Sequence, residues 1–246
     1  MTENSPPKAD MPTALVLVIA AVLPSIMAWL YFFVLAGSHG SDPFRQGAYG
    51  AGKLVQFAFP LVFVWFWERG RPRPRWPGMA GVALGLGFGL VVAAGIFALY
   101  FGWLRDSSVL EGTPVLLHHI LDSFGVAGAS SYVALAIFYV TAHSLFEEYY
   151  YRWFVFGRMR AFLPLSAAIG LSSLVLMAHH VILLAAYLPG QFWKAVVPLS
   201  LCVAIGAGVW AWLYARTQSL YAPWLSHAIV DAALFAIGWD LLRRGG

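Results

Sequence analysis

At 246 residues, the chain is 61% hydrophobic and 11% charged, with a mean hydropathy of +0.74. So few charges cannot cover the surface of a water-soluble domain, which leaves a polytopic membrane protein. The net charge of +4 is small and sits mainly in loops, so it argues for a topology signal and against nucleic acid as a partner.

The apolar runs are continuous over about 17–25 residues and do not alternate, which predicts spanning helices and not a barrel. Residues 1–11 form a polar, proline-containing tail, expected to be disordered. The first span is expected at about 12–36, with Pro24 as a kink. That run is too long for a signal-peptide core and is expected to be retained. A glycine-rich loop over 37–50 precedes a second span at about 51–67, which ends in the interfacial aromatics Trp65 and Trp67. Residues 68–77 carry four arginines in seven positions, which marks a cytoplasmic loop or, as the alternative, an anionic-lipid contact.

The third span is expected at about 78–104, where Gly81, Gly85, Gly87 and Gly89 are small enough to let helices approach closely. Residues 105–126 make a longer loop with an interfacial helix over 116–124, and His118 and His119 there read as solvent or headgroup histidines. Four more spans follow at about 129–161, 165–187, 195–214 and 219–242. Cys202, the single cysteine, reads as a small buried residue of an apolar run. No internal repeat or soluble domain is visible. The expected fold is therefore an all-α bundle: one membrane domain over residues 12–246, with seven or eight spans around a polar intramembrane cavity.

Basic residues near span ends place the N-terminus inside, and the short loops fit a bacterial inner membrane. On that count Lys8, the loop arginines, Arg158, Arg160 and Arg216 fall inside, and Arg45, Arg105 and Lys194 outside. Seven spans then leave Arg243 and Arg244 outside, against the rule.

Three clusters of ionisable residues interrupt this apolar chain. The fourth span holds Glu147, Glu148 and Arg152; the fifth holds His179 and His180; the last holds His227 and Asp231. Two adjacent carboxylates in a spanning helix cost about 2.5–3.5 kcal/mol each, and such residues are functional by default. Arg152 follows Glu148 by four residues, one turn along the same helix face, so it can fix Glu148 in its ionised form. Glu147 points about 100° away, on the face that carries His143, and is left to act on something else. Alone, each cluster has an ordinary explanation as a buried strut or a packed histidine. Three on three helices are expected to converge on one wet site, since lipid would otherwise face them all. Carboxylates and imidazoles with no evident Ser or Cys nucleophile suit hydrolysis by activated water. A glutamate takes the proton and an imidazole N–H stabilises the oxyanion. His-Glu-x-x-His, Gly-x-Ser-x-Gly and Gly-x-Gly-Asp motifs are absent.

In order and spacing the three clusters resemble the signature of the CPBP family, the CAAX protease and bacteriocin-processing membrane proteins, over roughly residues 129–240. Glu147, Glu148 and Arg152 match its Glu-Glu-x-x-x-Arg motif, and His227 and Asp231 match His-x-x-x-Asn/Asp. Its Phe-x-x-x-His motif falls on His180, with Leu176 at the Phe position, in preference to His179 with Val175. The resemblance implies a CAAX-protease-like membrane endopeptidase with no cofactor, acting on a peptide or membrane-protein substrate within the bilayer. It implies that Glu147 activates water with Glu148 in support, that His180 orients the water, that His227 and Asp231 bind the oxyanion or substrate carbonyl, and that Arg152 orders the first motif. Prenyl-protein-processing members carry Asn at the last position. An ionised Asp231 cannot donate a hydrogen bond, so it must be protonated for an oxyanion role or else orient His227. Two other readings compete. One is a metal-dependent hydrolase with Glu147, His180, His227 and Asp231 holding zinc. The other is a non-enzymatic scaffold or immunity protein; a transporter is a weaker version, because no paired broken spans are visible.

Overall fold

Helices that are apolar on nearly every face need lipid or protein around them. The computed structural model, which describes residues 9–35, 43–69, 75–126 and 128–244, has seven helices long and apolar enough to cross a membrane. In chain order the helices are α1 (Met11–Val34), α2 (Gln46–Glu68), α3 (Gly78–Asp106), the short α4 (Thr113–Ser123), α5 (Ala129–Phe162), α6 (Leu165–Tyr187), α7 (Phe192–Thr217) and α8 (Tyr221–Arg244). No strand occurs among the described residues.

Element bounds differ from the sequence expectation in two places. Helix begins at Met11 itself, because Asp10 caps it by accepting from the Thr13 backbone N–H at 2.9 Å. Helical structure leads into α2 from Pro43, inside the expected loop, and Gln46 Nε2 donates to the Ser123 carbonyl at 2.9 Å to hold this extra turn against α4. Residues 1–8 of the tail, 37–42 of the glycine-rich loop, and Arg71 and Arg73 lie outside the described residues. Cys202 is exposed, not buried as expected: it lies on the outward face of α7, among side chains suited to lipid.

The helices that carry the ionisable residues are held by specific contacts. α3 and α8 run parallel. Gly85 and Gly89 form the seam: a Cβ at Gly85 would collide with the Ala222 carbonyl oxygen, and one at Gly89 would lie 3.0 Å from Ser226 Cα. Gly87 has nothing within 4 Å and takes no part in this approach. Pro24 lacks an N–H, so it frees the Ala20 carbonyl inside α1. Tyr150 Oη on α5 donates to that carbonyl at 2.8 Å and ties the two helices together. At the end of α5, Arg158 forks onto Glu68 of α2, at 3.2 and 2.7 Å, and is largely buried.

Arg244 at the end of α8 and Arg105 at the end of α3 find partners. Arg244 Nη2 donates to Asp106 Oδ1 at 2.6 Å, and Arg105 Nε to Asp240 Oδ2 at 3.0 Å. Both arginines thus pair with acids on the same end of the bundle. His118 is also anchored, with Nε2 donating to the Leu242 carbonyl at 3.0 Å.

Candidate active site

α5 is not a uniform helix. Two π-helical stretches, Tyr139–His143 and Tyr149–Phe156, bracket the single α-helical turn Ser144–Glu148. Wider turns leave backbone carbonyls without their usual partners and recur at functional sites. Trp224 Nε1 of α8 meets the first stretch, donating to the Thr141 carbonyl at 2.9 Å and lying 3.1 Å from Ser144 Oγ. The contact fixes α8 against α5 one turn before His227.

His227 lies at the centre of the site. Its Nδ1–H donates to Glu148 Oε1 at 2.9 Å, while its Nε2 stands 3.7 Å from Glu147 Oε2 and 3.6 Å from Asp231 Oδ1. The other oxygen of Glu148 faces Arg152 Nε at 3.1 Å, and both side chains are essentially unexposed. That pair lacks straight hydrogen-bond geometry, and the Arg152 nitrogens have no hydrogen-bond partner among the described residues. Trp210 of α7 stacks flat on His227, with ring centroids 4.2 Å apart and planes 16° apart, and its Nε1 donates to Ser226 Oγ at 2.9 Å. The imidazole is therefore fixed on one edge by Glu148 and on one face by Trp210.

The adjacent histidines separate cleanly. His179 Nδ1–H donates to the Pro24 carbonyl of α1 at 3.2 Å, a helix-to-helix strut. His180 Nδ1–H donates to the Leu176 carbonyl of its own helix at 3.0 Å. A carbonyl only accepts, so Nδ1 carries the proton and the neutral ring has its lone pair on Nε2. Glu147 interacts electrostatically with His143, His227, His180 and Lys53. Glu147, Glu148, Arg152, His227 and Asp231 thus form one connected group, with His180 beside it. His179 belongs to the packing.

The group is nearly closed. Glu147 is 5% exposed and His227 6%, while Asp231 and His180 reach further out, the Asp231 side chain to 17%. Among the described residues no three His, Cys, Asp or Glu side chains are arranged to hold a metal ion.

Lys53 and Trp210 were absent from the residues singled out by sequence, and His143 was noted only as sharing a face with Glu147. Lys53 could have been found, because a cation inside an expected span is itself a functional signal. Trp210 could not, since nothing local distinguishes it from other span aromatics.

No curated protein and no solved structure matches the chain. Residues 129–233 match the family model described as type II CAAX prenyl endopeptidase Rce1-like, a stretch that holds the Glu-Glu-x-x-x-Arg turn, both adjacent histidines, His227 and Asp231. Over that stretch, which is less than half of the chain, it is similar to the CAAX-protease-like CPBP family of membrane proteases.

Proposed function

We propose that the chain is an intramembrane endopeptidase that cleaves a membrane-associated or lipid-modified peptide or protein with water activated by Glu147. The observation that carries this is the division between the two glutamates. Glu148 is consumed by His227 and Arg152. Glu147 makes no hydrogen bond shorter than its 3.7 Å approach to His227 among the described residues. Polar atoms held just beyond hydrogen-bond distance suit a shared water, and both Glu147 and Asp231 stand within 3.7 Å of His227 Nε2.

In this reading Glu147 takes a proton from the water, whose oxygen bonds to the substrate carbonyl carbon. His227, doubly protonated, donates Nδ1–H to Glu148 and presents Nε2–H to the oxyanion. His180 Nε2 accepts from the water and orients it. Asp231 faces His227 Nε2, which favours orienting that ring over donating to an oxyanion. The C–N bond breaks, and the proton held by Glu147 passes to the leaving nitrogen. The short loops and basic pattern support a bacterial inner membrane as the setting.

The test uses the purified protein in proteoliposomes with membrane-tethered peptides, cleavage being read by mass spectrometry. Glu147→Gln is expected to lower the rate at least about a hundredfold at unchanged Tm, and chelation with metal analysis is expected to leave full activity at sub-stoichiometric metal. Unchanged cleavage by the variant removes Glu147 from catalysis, and loss on chelation revives the zinc reading.

A further inference from the structure

Lys53 is a cation in a spanning helix that forms no ion pair within 4 Å among the described residues. Its one hydrogen bond is long, from Nζ to Gln56 Oε1 at 3.4 Å, on the same helix. An ammonium has three donors, so most of its capacity is unused. Two aromatic rings flank it, Tyr49 at 5.8 Å and Phe57 at 5.6 Å from Nζ. A charge at this depth is expensive and persists where it has a task.

Its position relates it to the site. Phe57 stacks on Phe146 at 5.2 Å, the neighbour of Glu147, and stands edge-on to His143 at 6.0 Å. Lys53 lies one helical turn before Phe57, towards the end of the bundle where α2 begins. One turn further out, Tyr49 and Tyr139 bring their hydroxyls to 3.3 Å of each other. Lys53 faces Glu147, His143 and His180 electrostatically without touching the carboxylate. The half-buried ammonium and the two half-buried hydroxyls gather where α2 meets α5, and all three are donors of the kind a carboxylate accepts from.

We propose that Lys53, with Tyr49 and Tyr139, binds a carboxylate of the substrate and thereby fixes which peptide bond reaches Glu147. This rests on the peptidase reading. A carboxylate held one turn along α2 from Phe57, which stacks on Phe146, sets the cleaved bond only a few residues away, because an extended chain covers about 3.3–3.6 Å per residue. The carboxylate belongs either to the peptide's C-terminus or to an acidic side chain near it.

The experiment measures binding in detergent micelles to the Glu147→Gln protein, which needs no turnover and so stands apart from the cleavage test. Three dansylated probes are compared: tetraleucine as the free acid, tetraleucine as the carboxamide, and a carboxamide with aspartate as its last residue. At least one carboxylate probe is expected to bind about tenfold more tightly than the neutral carboxamide, and which one does so identifies the source. Adding Lys53→Met is expected to erase that preference, while Lys53→Arg retains it; Lys53→Gln serves if the methionine variant does not fold. No preference in the parent protein, or one that survives Lys53→Met, overturns the proposal. So does an equal loss of affinity for all three probes, which would make Lys53 a partner of the site's own groups only.

Discussion

Glu148→Gln removes one charge and almost no volume, so its effect isolates what the carboxylate does. One oxygen accepts from His227 Nδ1–H at 2.9 Å, and the other faces Arg152 Nε at 3.1 Å as an ion pair. An amide has one oxygen and one NH2 group. With its oxygen towards His227, the NH2 meets the Arg152 N–H, donor against donor in a site with no exposure. Facing the other way, the NH2 meets Nδ1, which must then lose its proton, and His227 can no longer be doubly protonated. The first arrangement leaves buried donors unsatisfied at about 1–3 kcal/mol. The second disables the imidazole while keeping the fold. In Ser-His-Asp hydrolases the corresponding amide change leaves geometry intact and lowers kcat about ten-thousand-fold. A fall of about a thousand- to ten-thousand-fold in kcat is expected here, with Tm lowered by a few degrees. Proteoliposome cleavage rates and thermal unfolding, measured on the same preparation, check it. A variant within tenfold of the parent rate would refute the claim that Glu148 sets the protonation of His227.

Further substitutions separate packing from chemistry. His180→Ala is expected to lower cleavage about a hundredfold with Tm unchanged, whereas His179→Ala loses the bond to Pro24 and lowers Tm with the rate per folded molecule retained. Tyr150→Phe leaves the Ala20 carbonyl unsatisfied and is expected to cost about 1–3 kcal/mol of stability, read by thermal unfolding, without changing kcat. Gly85→Ala is expected to cost about 1–3 kcal/mol by overpacking against α8, while Gly87→Ala, with open space around it, is neutral or stabilising by about 0.5–1 kcal/mol.

Hydropathy alone determined the helical class and the approximate spans, because a bilayer requires long apolar runs and internally satisfied backbone whatever the tertiary arrangement. Helical spacing likewise determined that Arg152 reaches Glu148, a local contact within one turn. It could not show that Glu148 also holds His227, a contact across 79 positions of sequence created by the α3–α8 seam and the Trp224 bond. Nor could it separate His179 from His180. Adjacent residues point about 100° apart, and only the neighbouring helices decide which direction is packing and which is the site. The stacking of Trp210 and the inward reach of Lys53 were hidden for the same reason. A single span states what it carries, and its neighbours determine what that side chain faces.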